Sequence, residues 1–191
     1  MKKIVFVFIS LVLVLTACTQ KTSGCLIKTS LGSITIELYP GKAPITVANF
    51  LKYVDAHLYD SSSFFRAVRM DNQPDNNVKI EVIQGGHIDS LKQFPPIPIE
   101  TTGKTGLHHL NGTVSMARST PNSATCSFFI CINDQPSLDL GGKRNPDGQG
   151  FAAFGKVISG MDVVKKIQNL YPEQTQYFKP PVTIISVSRI Q

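Results

Sequence analysis

Residues 59–86 read YDSSSFFRAVRMDNQPDNNVKIEVIQGG. Residues 65–68 predict a short strand that carries Arg66 among apolar neighbours, and residues 82–86 predict a second strand that ends at paired glycines. An arginine in such a strand either lays its stem flat while its head reaches water, or presents a fixed cationic donor to a groove. The rest of the chain decides between these two interpretations.

Length and composition limit the classes of protein to which the chain can belong. A chain of 191 residues holds one domain with a short appendage. With 42% hydrophobic and 17% charged residues, the composition is that of a globular protein and excludes a largely disordered chain. The net charge of +6 is not accompanied by a basic stripe with interleaved aromatic residues, so we expect no nucleic-acid partner.

The first 18 residues have a composition of their own. Two lysines precede an apolar run over residues 4–15, which is shorter than the roughly twenty residues that a membrane span needs and has the flanks of a secretory signal. The segment Leu15-Thr16-Ala17-Cys18 resembles the lipobox of bacterial lipoproteins, in which cleavage precedes a cysteine that is then lipidated. We therefore predict a signal peptide over residues 1–17, a tether over 18–24 lipidated at Cys18, and a folded domain over 25–191 held at the membrane in the cell envelope. In the alternative, an ordinary signal peptide, Cys18 has no role.

Three further cysteines are Cys25, Cys126 and Cys131. Their number is odd and their spacing fits no metal motif, which leaves buried thiols or a bridge from Cys25 to one of the others. A metal interpretation would instead use His108 and His109. Adjacent histidines on an extended segment point in opposite directions, so we predict no metal site.

Short strands separated by turn signals occupy most of the remaining chain. Strands are predicted near residues 26–30, 33–39, 64–69, 78–84, 113–117, 127–133, 151–157 and 182–190. Helices are predicted to begin near Pro44 and Met161, and the apolar spacing of the first helix predicts a buried face of Ile45, Ala48, Leu51, Val54 and Leu58. With too few helices for crossovers, the pattern predicts a mostly β, closed antiparallel barrel.

Seven short motifs follow one another along this chain. They are Pro44-x-Thr46-x-x-Asn49-Phe50, Tyr59-Asp60, Phe64-x-Arg66, Gln84-Gly85-Gly86, His108-x-x-x-Gly112-Thr113-Val114-Ser115-Met116-Ala117, Phe128-Phe129-Ile130 and Phe154-Gly155-Lys156-Val157. In order and spacing they resemble the motifs of cyclophilin-type peptidyl-prolyl isomerases. The resemblance implies an eight-stranded antiparallel barrel capped by two α-helices, with a peptide groove on its outer face and no cofactor.

The chemistry of such an enzyme suits a strand arginine. An X-Pro bond rotates slowly because amide resonance opposes rotation with a barrier of roughly 18–20 kcal/mol. A guanidinium can donate to the proline nitrogen as that atom becomes pyramidal, and it stays charged at any relevant pH. This interaction is stronger in the transition state than in either ground state. The resemblance assigns this catalytic role to Arg66, and strand alternation predicts that Phe64 shares its outward face.

The resemblance also implies which side chains contact the substrate, proline-containing polypeptides bound by what we expect to be a monomer. The slot for the proline ring is assigned to Val82, Phe129, Leu138 and Phe151. Contacts to the peptide backbone or to the residues before proline are assigned to Gln84, Ala117, Arg118, Cys126 and Ser127. One of Phe128 and Phe129 must face inward, and the resemblance selects Phe129 for the groove.

Three positions depart from the family pattern. Glu81 stands where a phenylalanine usually forms the pocket floor, Ser127 replaces a glutamine, and Ser137 replaces an aromatic residue at the rim. The polar excursion over residues 70–77 also enlarges a turn that is usually tight. These departures predict an isomerase of weakened activity, and they leave open a second hypothesis, a membrane-tethered module that binds proline peptides with little catalysis.

Overall fold

The computed structural model of the protein describes residues 23–170 and 175–190. Its strands are β1 (Ser23–Thr29), β2 (Gly32–Leu38), β3 (Ser63–Val68), β4 (Val82–Gly85), β5 (Thr113–Met116), β6 (Phe128–Cys131), β7 (Ala152–Ser159) and β8 (Tyr177–Ile190). They close a barrel in the order β1-β2-β7-β5-β6-β4-β3-β8, and every neighbouring pair is antiparallel. The mostly β, closed eight-stranded antiparallel barrel is therefore confirmed. The predicted signal peptide and Cys18 lie outside the described residues, and β1 already includes the last two residues of the predicted tether.

Three α-helices accompany the barrel: α1 (Pro44–Asp55), the single turn α2 (Thr102–Thr105) and α3 (Met161–Gln168). The sequence predicted α1 and α3 but not α2. Among the residues that the structure describes, no helix has the length and apolar character that a bilayer span requires.

The buried face of α1 differs from the predicted one. Val47, Phe50, Tyr53 and Val54 point inward, while Ile45 is 38% exposed. The apolar spacing was misleading because two polar side chains belong to the inner face. One of them, Thr46, donates its hydroxyl to the Glu100 carboxylate at 2.6 Å, and the other, Asn49, donates to a backbone carbonyl at 2.6 Å.

Apolar residues form two separate clusters, one inside the barrel and one on its outer surface. Strand β6 supplies both, because successive side chains of a strand point to opposite faces. Phe128 and Ile130 are buried in the inner cluster, and Phe129 and Cys131 in the outer one. The outer cluster consists of Val68, Ile80, Val82, Phe129, Cys131 and Leu138. The cysteines Cys25, Cys126 and Cys131 are all free thiols.

A β-bulge in β3 determines which side chains of this strand face outward. The register against both β4 and β8 shifts between Phe64 and Arg66. Because the extra residue interrupts the alternation, Phe64 points into the barrel and is 0% exposed, with its ring edge-on to Phe128 at 5.8 Å. The prediction that Phe64 shares the groove face with Arg66 is wrong. Gly85 is required opposite this ring, since a Cβ there would lie 2.7 Å from the Phe64 Cδ1 atom.

Candidate active site

A cavity of about 230 Å³ opens on the outer surface of the barrel, directly above the outer apolar cluster. Its base is formed by Ile80, Val82, Phe129 and Leu138, which we call the floor. Phe151 closes one side, with its ring perpendicular to that of Phe129 at a centroid distance of 5.2 Å. Strands β4 and β6 pair in register, so the floor rests on rigid backbone. This shape and lining suit a small apolar ring.

A buried hydrogen-bonded chain supports the floor from below. The imidazole of His109 stacks on Phe129 at 5.9 Å. Its Nδ1 atom lies 2.6 Å from Asp139 Oδ1, and its Nε2 atom lies 3.0 Å from Ser115 Oγ. Ser115 is 0% exposed, so this Ser-His-Asp chain cannot reach a substrate and holds the Phe129 ring in place.

Asp139 binds both adjacent histidines. Its Oδ2 atom lies 2.8 Å from His108 Nδ1 while Oδ1 contacts His109. The expectation that these histidines point apart was wrong, because a turn joins His108 O to Leu110 N at this point. Burial acts to raise the pKa of Asp139, but hydrogen bonds from His109 and His108 outweigh it and hold that pKa below its usual value. Nowhere in residues 23–170 or 175–190 do three or more metal-binding side chains gather.

Arg66 lies at the rim of the cavity and is held by two glutamines. Its Nη1 atom donates to Gln84 Oε1 at 3.1 Å, and Nε and Nη2 donate to Gln176 Oε1 at 3.0 and 2.6 Å. The Tyr177 ring lies 5.7 Å from its guanidinium carbon. All these acceptors are neutral, and burial lowers the pKa of Arg66. The site therefore orients a full positive charge without neutralising it.

The β3–β4 loop (residues 69–81) carries buried polar side chains that bind neighbouring elements. Asn72 and Gln73 are each 2% exposed. The Gln73 amide donates to the carbonyl of Ile80 at 2.8 Å, and its Oε1 accepts from Arg144 Nη1 at 2.8 Å. Asn72 O accepts from Gln176 Nε2 at 2.8 Å. This loop therefore connects the floor to both arginines, Arg66 and Arg144.

The β6–β7 loop (residues 132–151) brings two further residues to the cavity. Arg144 and Asn145, which we call the wall, line the cavity with Arg66. The loop is fastened by Arg118, which donates to both oxygens of Asp147 at 2.8 Å and to the carbonyl of Gly150. These hydrogen bonds lower the pKa of Asp147 to about 2.

Most of the side chains predicted for the site lie together. The residues of the predicted set that line the cavity are Arg66, Val82, Gln84, Ala117, Arg118, Phe129, Leu138 and Phe151. Three do not reach it, and the first of them, Phe64, points into the barrel. Cys126 is 1% exposed within the inner cluster, and Ser127 contributes a backbone carbonyl that accepts from Ala117 N at 2.8 Å.

The residue in the floor of the cavity is Ile80 and not Glu81. Glu81 turns away from the cavity and accepts a hydrogen bond from Asn133 Nδ2 at 2.7 Å. Ile80 shares a face with Val82 and Gln84, as residues two apart in a strand do. The floor is therefore wholly apolar, and the expected acidic group in the pocket is absent from it.

Sequence reasoning missed Ile80, Arg144, Asn145 and Gln176. Ile80 could have been found by extending the alternation of Val82 and Gln84 backwards along the strand. Nothing local marks the other three, because they lie in loops and reach the site through contacts with sequence separations of 71 and 110 residues.

Known proteins resemble this chain in sequence over most of its length. Residues 25–189 match the family model described as cyclophilin type peptidyl-prolyl cis-trans isomerase/CLD. A peptidyl-prolyl cis-trans isomerase of Acinetobacter baylyi is 40% identical over 167 residues, which cover 84% of this chain and 81% of that protein. Peptidyl-prolyl cis-trans isomerase B of Escherichia coli is 36% identical over 144 residues, covering 74% and 82%.

Solved structures agree in fold. A cyclophilin type peptidyl-prolyl cis-trans isomerase of Cryptosporidium parvum superposes with a TM-score of 0.70 at 21% identity, covering 89% of this chain and 98% of that one. A second structure of that protein, solved in the presence of the dipeptide Ala-Pro, gives a TM-score of 0.69 at 20% identity and covers 88% and 99%. At this level of identity the likeness establishes the barrel fold.

Proposed function

Because this chain belongs to the cyclophilin-type peptidyl-prolyl cis-trans isomerase family, we propose that it isomerises X-Pro bonds of envelope proteins with Arg66 as the catalytic residue. Its class of activity, peptidyl-prolyl cis-trans isomerisation, follows from the family and its named relatives. The roles of individual residues, the substrate proteins and the location in the cell envelope are what we propose.

One observation carries the proposed mechanism: Arg66 is fixed beside an apolar slot by neutral acceptors alone. The slot takes the proline ring between Phe129 and Phe151. The guanidinium then donates to the proline carbonyl and, as the amide twists, to the pyramidal nitrogen. Because Gln84 and Gln176 already orient the charged group, little reorganisation is needed when the transition state forms.

The peptide before the proline is proposed to lie along Ala117 and Arg118, which border the same cavity. The Gln84 amide accepts from Arg66 through Oε1 and also carries the Nε2 donor, and we propose that this donor hydrogen-bonds the substrate backbone. The presence of the dipeptide Ala-Pro in a structure of the related Cryptosporidium protein supports a proline-containing ligand for this groove.

We also propose that turnover is lower than is usual in the family. Glu81 no longer supports that idea, because it faces Asn133. Ser127 and Ser137 still do: neither side chain lines the cavity, so the rim has neither the glutamine nor the aromatic residue that the family pattern places there. Introducing Ser127→Gln and Ser137→Trp together is expected to raise kcat/KM. A wild-type rate equal to that of typical relatives, in a protease-coupled assay, would contradict weakening.

Exchange of a short proline peptide, followed by NMR, tests the role of Arg66. Arg66→Ala is expected to lower kcat about 100-fold or more, which is the effect of losing one preorganised donor. Arg189→Ala is the matched control, because Arg189 is a surface arginine that pairs with Asp55. Equal rates for wild type and Arg66→Ala would exclude the mechanism. An inactive wild type that still binds the peptide would favour the tethered binding module.

The envelope location rests on residues 1–18, which lie outside the described residues. A basic start, a short apolar run and a cysteine at its end support a lipid anchor at Cys18. Fractionation of cells that express the full-length chain tests this proposal. Wild type is expected in the membrane fraction and Cys18→Ser in the soluble extracytoplasmic fraction, whereas an unchanged distribution would exclude the anchor.

A further inference from the structure

The cavity contains positive charge that no carboxylate of the described residues neutralises. It is lined by Arg66, Arg118 and Arg144, and no aspartate or glutamate lines it. Arg118 is paired with Asp147. The ion pairs within residues 23–170 and 175–190 include neither Arg66 nor Arg144. Two cations therefore face one small space without a counter-charge from the described residues.

Both arginines keep donors available for a ligand. Arg144 uses only Nη1, which donates to Gln73 Oε1 at 2.8 Å and to the carbonyl of Val78 at 2.6 Å. Its Nε and Nη2 atoms have no acceptor in the described part of the chain. Burial and then the nearby charge of Arg66 lower the pKa of Arg144. The like charges stand close enough to repel each other, and an anion between them would remove that repulsion.

A third donor lies beside them. Asn145 lines the same cavity, and its buried Nδ2 atom has no hydrogen-bond partner among the residues that the structure describes. A buried amide donor without an acceptor is destabilising and is uncommon in folded proteins. Its placement next to Arg144 indicates that an acceptor arrives with the ligand.

We propose that Arg66, Arg144 and Asn145 form a subsite for the side-chain carboxylate of an acidic residue that follows the substrate proline. This inference rests on the proposed function, since it names the class of proline peptide that the same cavity prefers. Arg66 donates to the proline carbonyl, and the substrate chain continues from that carbonyl. In this proposal the residues before proline lie along Ala117. The residue after proline then passes Arg66 and reaches the wall, where Arg144 contacts its side chain.

The preference for an acidic residue after proline comes from the wall and not from the floor. The floor is apolar and accepts any proline ring, whereas Arg144 and Asn145 reach the cavity only because the β6–β7 loop is fastened at Arg118 and Gln73. A carboxylate shared by two guanidinium groups forms charge-assisted hydrogen bonds, which are about twice as strong as neutral ones. A lysine after proline would meet two cations instead.

Three blocked peptides test the proposal, with the sequence Ala-Ala-Pro-X-Ala, an acetylated amino end and an amidated carboxyl end. X is Glu, Gln or Lys, so the side chain is the only possible carboxylate. With full-length protein at low ionic strength, kcat/KM from NMR exchange is expected to be about tenfold higher for Glu than for Gln, and lowest for Lys. The ratio should shrink as salt is added, because the cavity is open to solvent.

Variants locate the effect. Arg144→Gln is expected to reduce the Glu-to-Gln ratio to about twofold or less, since it removes the charge. Arg144→Lys should keep part of the ratio, and Asn145→Asp should reverse it in favour of Lys. Lys143→Gln is the matched control, because it removes a charge from the neighbouring exposed position of the same loop. Both rates in a ratio come from the same protein sample. A smaller folded fraction therefore lowers both rates equally and leaves the ratio unchanged.

The outcomes separate this inference from the proposed function. A wild type that isomerises all three peptides at equal rates, or an Arg144→Gln variant that keeps the tenfold ratio, overturns the subsite and leaves the enzyme intact. If the wild type isomerises no peptide, the proposed function fails, and titration of the three peptides still decides the inference: tighter binding of the Glu peptide, lost in Arg144→Gln, supports the subsite, and equal affinities overturn it.

Discussion

The floor and the wall of the cavity are built in different ways. The floor consists of apolar side chains that three elements hold on one face: β4 together with Ile80 just before it, β6, and the short turn at Leu138. The wall consists of polar side chains from a long loop, held by hydrogen bonds to another loop. In our proposal the floor binds the proline ring, which every X-Pro substrate shares, and the wall contacts the residue that differs between substrates. Proline recognition and substrate selectivity would then depend on different parts of one site.

The floor and the wall also differ in the interactions that stabilise them. Burial of apolar area contributes roughly 25 cal/mol per Å² and tolerates small changes in geometry. The wall depends on hydrogen bonds that contribute about 1 kcal/mol each, but that cost more when one partner is removed and the other stays buried. Changes to the floor should therefore affect all substrates, and changes to the wall should affect some.

Phe129→Ala should have the largest effect, because it removes the centre of the floor. Phe129 is 5% exposed and contacts both His109 and Phe151. Truncation of a buried phenylalanine costs about 3 kcal/mol of stability or more, and KM should rise for every proline peptide. Urea unfolding and peptide kinetics measure both. Phe65→Ala, at a half-buried position in β3, should cost less than half as much, and equal losses would contradict a special role for the floor.

Gln73→Ala tests the residue that joins floor and wall. It removes hydrogen bonds to Ile80 and Arg144 and leaves buried backbone groups without a partner, at a cost of roughly 1–3 kcal/mol. Arg144 loses one of its two hydrogen-bond acceptors, so activity on an acidic peptide should fall more than activity on a neutral one. Asp75→Ala, an exposed change in the same loop, is the control for urea unfolding and for the activity ratio. An equal loss of activity on both peptides would show that the floor and the wall do not act separately.

Gln176→Leu should have a smaller effect, confined to the positioning of Arg66. Without the Gln176 oxygen the guanidinium loses two of its three hydrogen bonds. We expect kcat to fall about threefold to tenfold with little change in KM. Gln176→Glu should instead raise KM, because a carboxylate would neutralise Arg66. Thr183→Ala, an exposed change in β8, is the control. A lower melting temperature with unchanged kcat would mean that Gln176 is only structural.

Acid should weaken the floor slightly through Asp139. The pKa of this carboxyl is lowered in the folded protein from its usual 3.8. Its contribution to stability is therefore fully present above about 3.8 and is lost as pH falls through the lower folded value. Urea unfolding between pH 5 and pH 2 measures this loss. Asp139→Asn should be less stable than wild type at pH 5, and the difference should shrink toward pH 2. A difference independent of pH would contradict the assignment.

Much of the site could be predicted from short stretches of sequence. Arg66, Gln84 and Phe129 were each assigned to the outer face, and all three line the cavity. Their orientation follows from strand alternation and from motifs of a few residues. The errors occur where alternation is interrupted. The bulge in β3 turns Phe64 inward, and the enlarged β3–β4 loop moves Ile80 into the position that was expected for Glu81.

By itself the sequence determined the barrel, its strands and the outward placement of Arg66, Gln84 and Phe129, because the direction of a side chain on a strand is a local property of the backbone. Only the tertiary structure decided that Gln176 holds Arg66 and that Arg144 lines the same cavity. Those contacts join residues that are distant in sequence and depend on how the barrel closes. Closure brings the ends of β3, β4, β6 and β8 together, and no pattern within a single loop specifies its neighbours.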